Sequence, residues 1–362
     1  MREGLAAVAE GKELAGVQSG HADLTHRPEV VFLFTGQGGQ YVNMGRGLYE
    51  SEPTFRGVLE ECEEKLRPYL EKPLLSVLYP GAGEGTPLDE TGYTHVAMFA
   101  IQYGLAKLWR SWGIEPGLVM GHSVGEIVAA TVAGVMSLEE GLKLMRERGR
   151  LMQRLPRNGM MASLLMGEER VVGELERYRG RVAIAAVNGP ESTVISGERG
   201  AVEEILRRLE GTGVKVKVLK VSNAFHSPLV EPVLEEFERV ARGVEYRAPE
   251  MGLFSSMKVG WVKEQGVMEA GYWVDNLRHT VRFSEAIRAV YERGYRVFLE
   301  IGPTPILVSM GSQCVPMGEG VWLPSLREGR EDWDQAGKPG HIVCEGSNID
   351  WKHLINLSCG TR

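Results

Sequence analysis

The sequence has few cysteines and no long apolar run. Its four cysteines, in a chain of 362 residues, are scattered and form no C-x-x-C pair. This pattern favours a reducing compartment over a disulfide framework. No apolar stretch reaches the ~18 residues that a transmembrane helix needs, and the N-terminus has no apolar region typical of a signal peptide. We therefore expect a cytoplasmic protein without membrane contact.

An excess of positive charge is also absent. The formal net charge is −7 at pH 7 and the pI is about 5.8, so a role in nucleic-acid binding has no electrostatic support. Hydrophobic residues make up 43% of the chain and charged residues 25%, which is typical of a globular protein. A chain of this length can form one large domain or two smaller ones.

Residues 121–125, with the sequence Gly-His-Ser-Val-Gly, lie between a short apolar strand and an apolar helix. This is the G-x-S-x-G pattern of a nucleophile elbow, in which a sharp turn lifts the serine off the strand end. Ser123 would then lie at a helix N-terminus, where a developing oxyanion is favoured. The alternative is a Gly-rich turn in which Ser123 only caps the helix.

A second Gly-rich loop follows the continuous apolar run Val30–Phe34, which predicts a strand buried on both faces. The loop, residues 36–40, lacks a Walker lysine and the full G-x-G-x-x-G spacing, so a nucleotide site is not favoured. In a serine acyl enzyme such a loop supplies one oxyanion donor, and the residue after the nucleophile supplies the other. We assign these donors to the backbone N–H groups of Gln37 and Val124.

A serine nucleophile needs a base within hydrogen-bond reach. Of the eight histidines, His226 is the best candidate because it lies at the junction between two predicted units. No aspartate occurs between Ser123 and His226, so the usual hydrolase order Ser…Asp/Glu…His is not favoured. We predict a Ser–His dyad whose imidazole is held by a backbone carbonyl. A hydrolase that uses His279 with Asp275 is the alternative.

An arginine interrupts the apolar stripe of the helix that follows the elbow helix. This helix begins with a capping box at Ser137 and Glu140 and runs to about Leu155. Arg148 lies on the stripe, so it is predicted to point inwards and to need an anionic partner. It would serve either as a structural ion pair or as a bidentate clamp for a substrate carboxylate.

The order of predicted elements defines two units. Residues 158–222 read βαββαβ, which is the ferredoxin-like arrangement. We predict an α/β fold with a parallel sheet and a hydrolase-like core, formed by residues 28–157 and 223–328, into which this subdomain is inserted. Residues 1–27 and 329–362 are polar and Gly-rich, and are predicted to be terminal linkers.

Six short motifs occur together in an order that resembles the malonyl-CoA:acyl carrier protein transacylase family. The flanking sequences are most similar to an acyltransferase domain of a modular polyketide synthase. The motifs are FTGQG at 34–38, GHSVGE at 121–126, RGRLMQ at 148–153, AVN at 186–188 with ISG at 195–197, AFHSP at 224–228 and GPTPIL at 302–307. The resemblance covers about residues 28–328.

The resemblance implies a two-step acyl transfer through Ser123, with His226 as general base. The acyl group would pass from a CoA thioester to Ser123, and then to the phosphopantetheine thiol of an acyl carrier protein. The N–H groups of Gln37 and Val124 would hold the oxyanion, and Arg148 would bind the free carboxylate of a malonyl group. No tightly bound cofactor and no metal are implied.

Further site residues also follow from the resemblance. Phe225, before the histidine, and Val124 match the malonyl-selective pattern, in which a Phe ring fills the space that an α-methyl group would need. His122 would help to shape the acyl pocket, and Asn188 aligns with a polar residue near the site. His95 stands where the family usually has Gln, and its imidazole would either donate to the malonyl carboxylate or only pack.

Asn276 aligns with the position whose backbone carbonyl orients the base. Two other positions depart from the family pattern, since Asn223 stands where malonyl enzymes often have His, and Gly39 replaces a common Ser.

We therefore expect a malonyl-selective S-acyltransferase of polyketide or related biosynthesis. Its partners would be malonyl-CoA, an acyl carrier protein and neighbouring polyketide synthase domains. The alternative is a serine thioesterase or esterase that hydrolyses an acyl thioester. A binding module without catalytic activity is not favoured, because it would need no nucleophile, base and oxyanion loops in this order.

Overall fold

The computed structural model describes residues 29–221 and 223–329. The terminal linkers predicted at 1–27 and 329–362 lie outside this range, except for Gly329. Within it, no helix is long and apolar enough to cross a membrane. The same residues contain no group of three or more His, Cys, Asp or Glu side chains that could hold a metal ion.

The described part of the chain alternates helices and strands. The strands are β1 (Val30–Phe34), β2 (Pro116–Gly121), β3 (Gly159–Leu164), β4 (Val182–Gly189), β5 (Ser192–Glu198), β6 (Val216–Val218), β7 (Gly252–Ser255), β8 (Gly260–Trp261), β9 (Val297–Ile301) and β10 (Val321–Pro324). The α-helices are α1 (Arg46–Ser51), α2 (Pro53–Leu66), α3 (Leu74–Leu78), α4 (Thr91–Ser111), α5 (Gly125–Val132), α6 (Leu138–Gln153), α7 (Glu168–Leu175), α8 (Arg199–Leu209), α9 (Glu231–Ala241), α10 (Ala270–Arg278), α11 (Phe283–Glu292) and α12 (Leu307–Gly311).

The larger sheet has the strand order β10-β9-β1-β2-β7-β8. Its pairings are parallel except for the short antiparallel pair of β7 with β8. All five residues of β1 are buried, as expected for a central strand covered on both faces. Phe34 pairs with Gly121 at the carboxyl ends of β1 and β2. The two Gly-rich loops therefore leave the sheet side by side, where open α/β sheets carry their binding sites.

The smaller sheet is antiparallel and has the order β4-β5-β3-β6. With α7 between β3 and β4, and α8 between β5 and β6, this is the predicted ferredoxin-like arrangement. The sheet packs on its two helices through a separate hydrophobic cluster that includes Leu164, Val171, Ile195 and Ile205. The predicted fold class is confirmed, whereas the exact unit boundaries stay a prediction.

The last strand of the smaller sheet is shorter than its sequence suggests. The alternating run from residue 214 to residue 221 predicts a half-buried strand, but only Val216–Val218 pairs with β3, and all three residues are exposed. The physical reason is that β6 is an edge strand, so no neighbour covers its outer side.

Two helices shape the interior of the larger unit, and the second of them, α6, was predicted from the sequence. Most of α4 is buried, including His95. The capping box at the start of α6 is present, because the Ser137 side chain accepts from the Glu140 N–H and the Glu140 side chain accepts from the Ser137 N–H. The apolar stripe of α6 is buried, and Arg148 lies on it.

Backbone hydrogen bonds connect the smaller sheet to the larger unit. Val187 in β4 donates to the Val281 carbonyl at 2.9 Å, and the Val281 N–H donates to the Ala185 carbonyl at 2.9 Å. Val281 lies between α10 and α11, so this parallel bridge holds the segment after α10 against β4.

Candidate active site

The elbow places Ser123 in a left-handed backbone conformation, with φ at 53°. Such a conformation is strained for a non-glycine residue and marks functional sites. The flanking glycines are required by close packing. A Cβ on Gly121 would lie 2.2 Å from the Glu126 nitrogen, and one on Gly125 would lie 2.2 Å from the Phe34 oxygen. The spacing of the motif thus follows from the contact between the turn, its helix and β1.

The structure brings the predicted nucleophile and base together. Ser123 Oγ lies 2.7 Å from His226 Nε2, and His226 Nδ1 lies 2.8 Å from the His279 carbonyl oxygen. A carbonyl only accepts, so Nδ1 carries the proton and Nε2 is free to accept the serine proton. Burial lowers the pKa of His226 from 6.5 to about 3, and the positive charge of Arg148 acts in the same direction. The imidazole is therefore neutral at pH 7, as a general base requires.

The carbonyl that orients the base is not the one expected from the resemblance. Asn276 lies inside α10, whereas His279 follows the helix end with an extended backbone, φ −98° and ψ 169°. A carbonyl inside a helix points along the helix axis, while the carbonyl of His279 is free to turn towards His226. The predicted backbone role of Asn276 is therefore wrong, and it belongs to His279.

The alternative pair His279 and Asp275 does not form a second catalytic pair in this site. Its Nδ1–Oδ1 distance is 3.4 Å, but the side chains are 60% and 48% exposed. Because the backbone of His279 holds the base, its imidazole does not take the base's place at Ser123.

Arg148 points inwards towards Ser123. It is 1% exposed, and its Nη2 lies 3.3 Å from Ser123 Oγ. Its Nη1 donates to Asn276 Oδ1 at 2.5 Å, and its Nε has no partner. Among the described residues Arg148 makes no ion pair with a carboxylate, although its neighbours Arg146 and Arg150 both pair with Glu147. Burial lowers the pKa of Arg148 to about 9, and the charge of Glu126 opposes this shift.

Glu126 and the side chain of Asn276 belong to the site, although the sequence did not point to either function. Glu126 is fully buried, and its oxygens accept from the Ser256 N–H at 2.9 Å and from Asn276 Nδ2 at 2.5 Å. Burial raises the pKa of Glu126 to about 7. The available signal was that Glu126 is the single charged residue of the otherwise apolar helix α5.

His122 lies behind the nucleophile. Its Nε2 is 2.8 Å from Asn188 Oδ1 on β4, and its ring packs against Phe283 with centroids 5.7 Å apart. Burial lowers the pKa of His122, while the bond to Asn188 opposes the shift. The two residues thus form a contact between the elbow and the smaller sheet.

His95 and Gln37 meet on the other side of the elbow. His95 Nε2 lies 3.2 Å from Gln37 Oε1, and the ring centroid of His95 is 6.2 Å from that of Phe225. Burial lowers the pKa of His95 to about 3, and Arg148 adds to this. Since the pKa of its ring is this low, His95 is neutral at pH 7.

The backbone N–H groups of Gln37 and Val124 are available at the ends of β1 and β2. Neither donates to an acceptor within residues 29–221 and 223–329. In an oxyanion hole the donors must be free to bind the charge that develops on the substrate.

The half-buried Ser123 and the buried His226 thus lie together at the end of a parallel sheet, next to an arginine that makes no ion pair within the described residues. The family model for the acyl transferase domain matches residues 31–336. The chain therefore belongs to the acyl transferase domain family.

The relatives identify the type within this family. The chain is 44% identical over 336 residues to the polyketide synthase GfsB of Streptomyces halstedii. This alignment covers 91% of this chain and 6% of the relative. It is 38% identical over 319 residues to erythronolide synthase EryA2 of Saccharopolyspora erythraea. This alignment covers 88% of this chain and 9% of the relative. The chain thus spans less than a tenth of the length of either relative. It is an acyltransferase of the polyketide synthase type.

Solved structures agree with this classification. The acyltransferase domain from the second module of the salinomycin polyketide synthase has a TM-score of 0.90 and 38% identity, covering 100% of this chain and 84% of the other. The malonyl CoA-acyl carrier protein transacylase of Coxiella burnetii has a TM-score of 0.76 and 27% identity, covering 82% of this chain and 94% of the other.

Proposed function

We propose that the protein transfers a malonyl group from CoA to the phosphopantetheine thiol of an acyl carrier protein, through an acyl-enzyme on Ser123. The observation that carries this proposal is the line from Ser123 Oγ through the His226 imidazole to the His279 carbonyl, beside the unpaired Arg148. These contacts support the assignment of Ser123 as nucleophile and His226 as its base. The position of Arg148 supports an acyl group that carries a free carboxylate.

In the first half-reaction, Ser123 Oγ attacks the thioester carbonyl while His226 Nε2 takes the hydroxyl proton. The N–H groups of Gln37 and Val124 hold the oxyanion that forms. Collapse of the tetrahedral intermediate breaks the C–S bond, and the CoA sulfur leaves with the proton from His226.

In the second half-reaction, the carrier thiol takes the place that CoA has left. His226 accepts the thiol proton, the sulfur attacks the ester of Ser123, and the serine oxygen leaves with that proton. His226 therefore ends each half-reaction in the neutral state in which it began. The low pKa caused by burial and by Arg148 favours this return.

The malonyl assignment depends on Arg148. A buried guanidinium without an anionic partner is costly, by several kcal/mol per ion. The free carboxylate of malonyl would supply that partner next to the reacting serine. His122 with Asn188 and His95 with Gln37 would form the walls of the pocket on either side of Ser123.

The remaining parts of the proposal follow from this chemistry. The acyl donor is a CoA thioester and the acceptor is a carrier protein, so the reaction needs no tightly bound cofactor. Neighbouring domains of a polyketide synthase would present that carrier protein. The location in which we expect the reaction is the cytoplasm.

Intact-protein mass spectrometry after incubation with malonyl-CoA tests the proposal. We expect one malonyl group on the wild-type protein and none on Ser123→Ala. Addition of a holo carrier protein should discharge the acyl-enzyme and load the carrier thiol. Rapid loss of the acyl group to water, at the same rate with and without carrier, would contradict transfer and indicate a thioesterase.

A further inference from the structure

Three buried side chains form a line of contacts behind the nucleophile. Glu126 Oε2 accepts from Asn276 Nδ2, Asn276 Oδ1 accepts from Arg148 Nη1, and Arg148 Nη2 reaches Ser123 Oγ. Glu126, Asn276 and Arg148 are 0%, 2% and 1% exposed. The line therefore runs through the interior, where bulk water does not supply alternative partners.

The carboxylate decides which way the Asn276 amide faces. Glu126 Oε2 accepts from Asn276 Nδ2, so the NH₂ group of the amide faces the carboxyl group. The amide oxygen is then turned towards Arg148, to which it presents an acceptor. The other oxygen of Glu126 accepts from the Ser256 N–H at 2.9 Å, which fixes the carboxylate on the segment after β7.

The same arrangement keeps the guanidinium charge uncompensated at contact distance. Arg148 is held by a neutral amide, and the carboxyl group of Glu126 lies one side chain further away. Nη1 is used for this contact. Nη2 reaches Ser123 Oγ, and Nε, on the same edge of the guanidinium as Nη2, has no partner. That edge has the fork geometry with which arginine binds a carboxylate through two hydrogen bonds.

We propose that Glu126 and Asn276 are positioning residues that determine the preference for carboxylated acyl groups, because they hold Arg148 through a neutral amide and leave its Nε–Nη2 edge without a carboxylate partner. This inference rests on the proposed acyl transfer. It adds that the selectivity depends on an uncharged contact behind Arg148 as well as on Arg148 itself.

Asn276→Asp is the sharpest variant, because it exchanges the amide for a carboxylate of the same shape. The new carboxylate would contact Arg148 directly and neutralise it, while a protonated Glu126 could donate to the second oxygen of that carboxylate. We expect kcat/KM for malonyl-CoA, relative to that for acetyl-CoA, to fall about 10-fold or more. The rate of acetyl transfer should change much less, because acetyl has no carboxylate for Arg148.

Glu126→Gln tests the orientation of the amide. A glutamine cannot accept from both Ser256 and Asn276 with the same oxygens, so the Asn276 amide loses its fixed direction. We expect a lower malonyl-to-acetyl ratio, with the increase in KM for malonyl-CoA larger than the loss in kcat.

Glu300→Gln is the matched control for removing a buried carboxylate. Glu300 is also fully buried, and burial likewise raises its pKa to about 7. It accepts from the N–H groups of residues 306–308 and from Thr35 and does not contact Arg148. If Glu300→Gln lowers the rates of malonyl and acetyl transfer, it should lower both equally. The ratio of kcat/KM for malonyl-CoA to that for acetyl-CoA should therefore equal that of the wild type.

A binding measurement separates this inference from the proposed function. In the Ser123→Ala background, calorimetry should give tighter binding of malonyl-CoA than of acetyl-CoA, and Asn276→Asp should remove the difference. An unchanged malonyl-to-acetyl preference in folded Asn276→Asp, in transfer and in binding, would overturn the inference. Failure of the wild-type protein to acylate Ser123 from either donor would instead contradict the proposed function, and the binding comparison would still decide the inference.

Discussion

The imidazole Nδ1 of His226 lies 2.8 Å from the backbone carbonyl oxygen of His279. A carbonyl orients the proton on Nδ1 as a carboxylate would, but it carries no full charge. Burial and the charge of Arg148 lower the pKa of His226, and the hydrogen bond to this neutral carbonyl opposes the shift only in part.

The His279 side chain should be dispensable, since only its backbone contacts the base. We expect His279→Ala to keep the acylation rate of Ser123 within about 3-fold of wild type, whereas His226→Ala should lose about 10²–10⁴-fold. Single-turnover loading from radiolabelled malonyl-CoA measures both. Equal losses in the two variants would show that the imidazole of His279 takes part in the reaction.

Arg148→Ala should reduce malonyl transfer far more than acetyl transfer. Removal of one partner of a buried, hydrogen-bonded charge pair costs about 2–5 kcal/mol, so the malonyl rate should fall by about 30-fold or more. Arg148→Lys should rescue it poorly, because an ammonium group cannot form the planar fork. Parallel assays with the two CoA thioesters provide the measurement, and equal losses for both donors would contradict a carboxylate clamp.

Phe225 should exclude an α-methyl group from the pocket. Its ring is buried next to His95, with centroids 6.2 Å apart. Phe225→Ala should raise the rate with methylmalonyl-CoA relative to malonyl-CoA by about 10-fold, within the range of one methylene in a pocket. Competition between the two donors, read out by mass spectrometry of the acyl-enzyme, measures the ratio. An unchanged ratio would place the selectivity elsewhere.

His95 should make the protein less stable in acid. The pKa of His95 is about 3 in the folded protein, below its ordinary value of 6.5. Between these values the unfolded chain binds a proton at His95 and the folded protein does not. The contribution of His95 to the free energy of unfolding therefore falls by about 1.4 kcal/mol per pH unit as the pH decreases from 6.5 towards 3.

His95→Gln removes this titrating group but keeps a polar side chain that can still contact Gln37. We expect urea unfolding to show a shallower loss of stability below pH 6.5, by about 2 kcal/mol between pH 6.5 and 5. The raised pKa values of Glu126 and Glu300 act in the opposite direction between pH 7 and 4.5. They are common to both proteins and cancel in the difference. Parallel pH profiles for wild type and variant would contradict the prediction.

Gly125 should tolerate no side chain. Its Cβ would lie 2.2 Å from the Phe34 carbonyl oxygen, and Gly125→Ala should lower the free energy of unfolding by about 3 kcal/mol or more. Gly173, an exposed position in α7 with no atom within 4 Å of its Cβ, is the control. There alanine should stabilise by about 0.5–1 kcal/mol. Urea unfolding of both variants gives the comparison.

The parts of the fold that depend on local pattern could be predicted from the sequence. The buried run of β1, the turn at Ser123 and the capping box at Ser137 are each encoded within a few neighbouring residues. The inward position of Arg148 followed from helical spacing alone. The ferredoxin-like order followed from the succession of elements.

The parts that depend on distant contacts could not be predicted in this way. His279 and His226 are 53 residues apart, and which carbonyl faces the base depends on where α10 ends. The contact of Asn276 with Glu126 joins residues 150 positions apart. An isolated acidic residue in an apolar helix signals a buried partner but does not say which one.

The backbone bridge at Val281 connects the inserted sheet to the segment whose carbonyl contacts His226. Val281 comes two residues after His279, and both its N–H and its C=O are bonded to β4. The carbonyl that aligns the base is thus fastened to one unit while the nucleophile stands on the other. We therefore expect excision of the ferredoxin-like unit to release the His279 carbonyl from its position and to misalign His226 relative to Ser123.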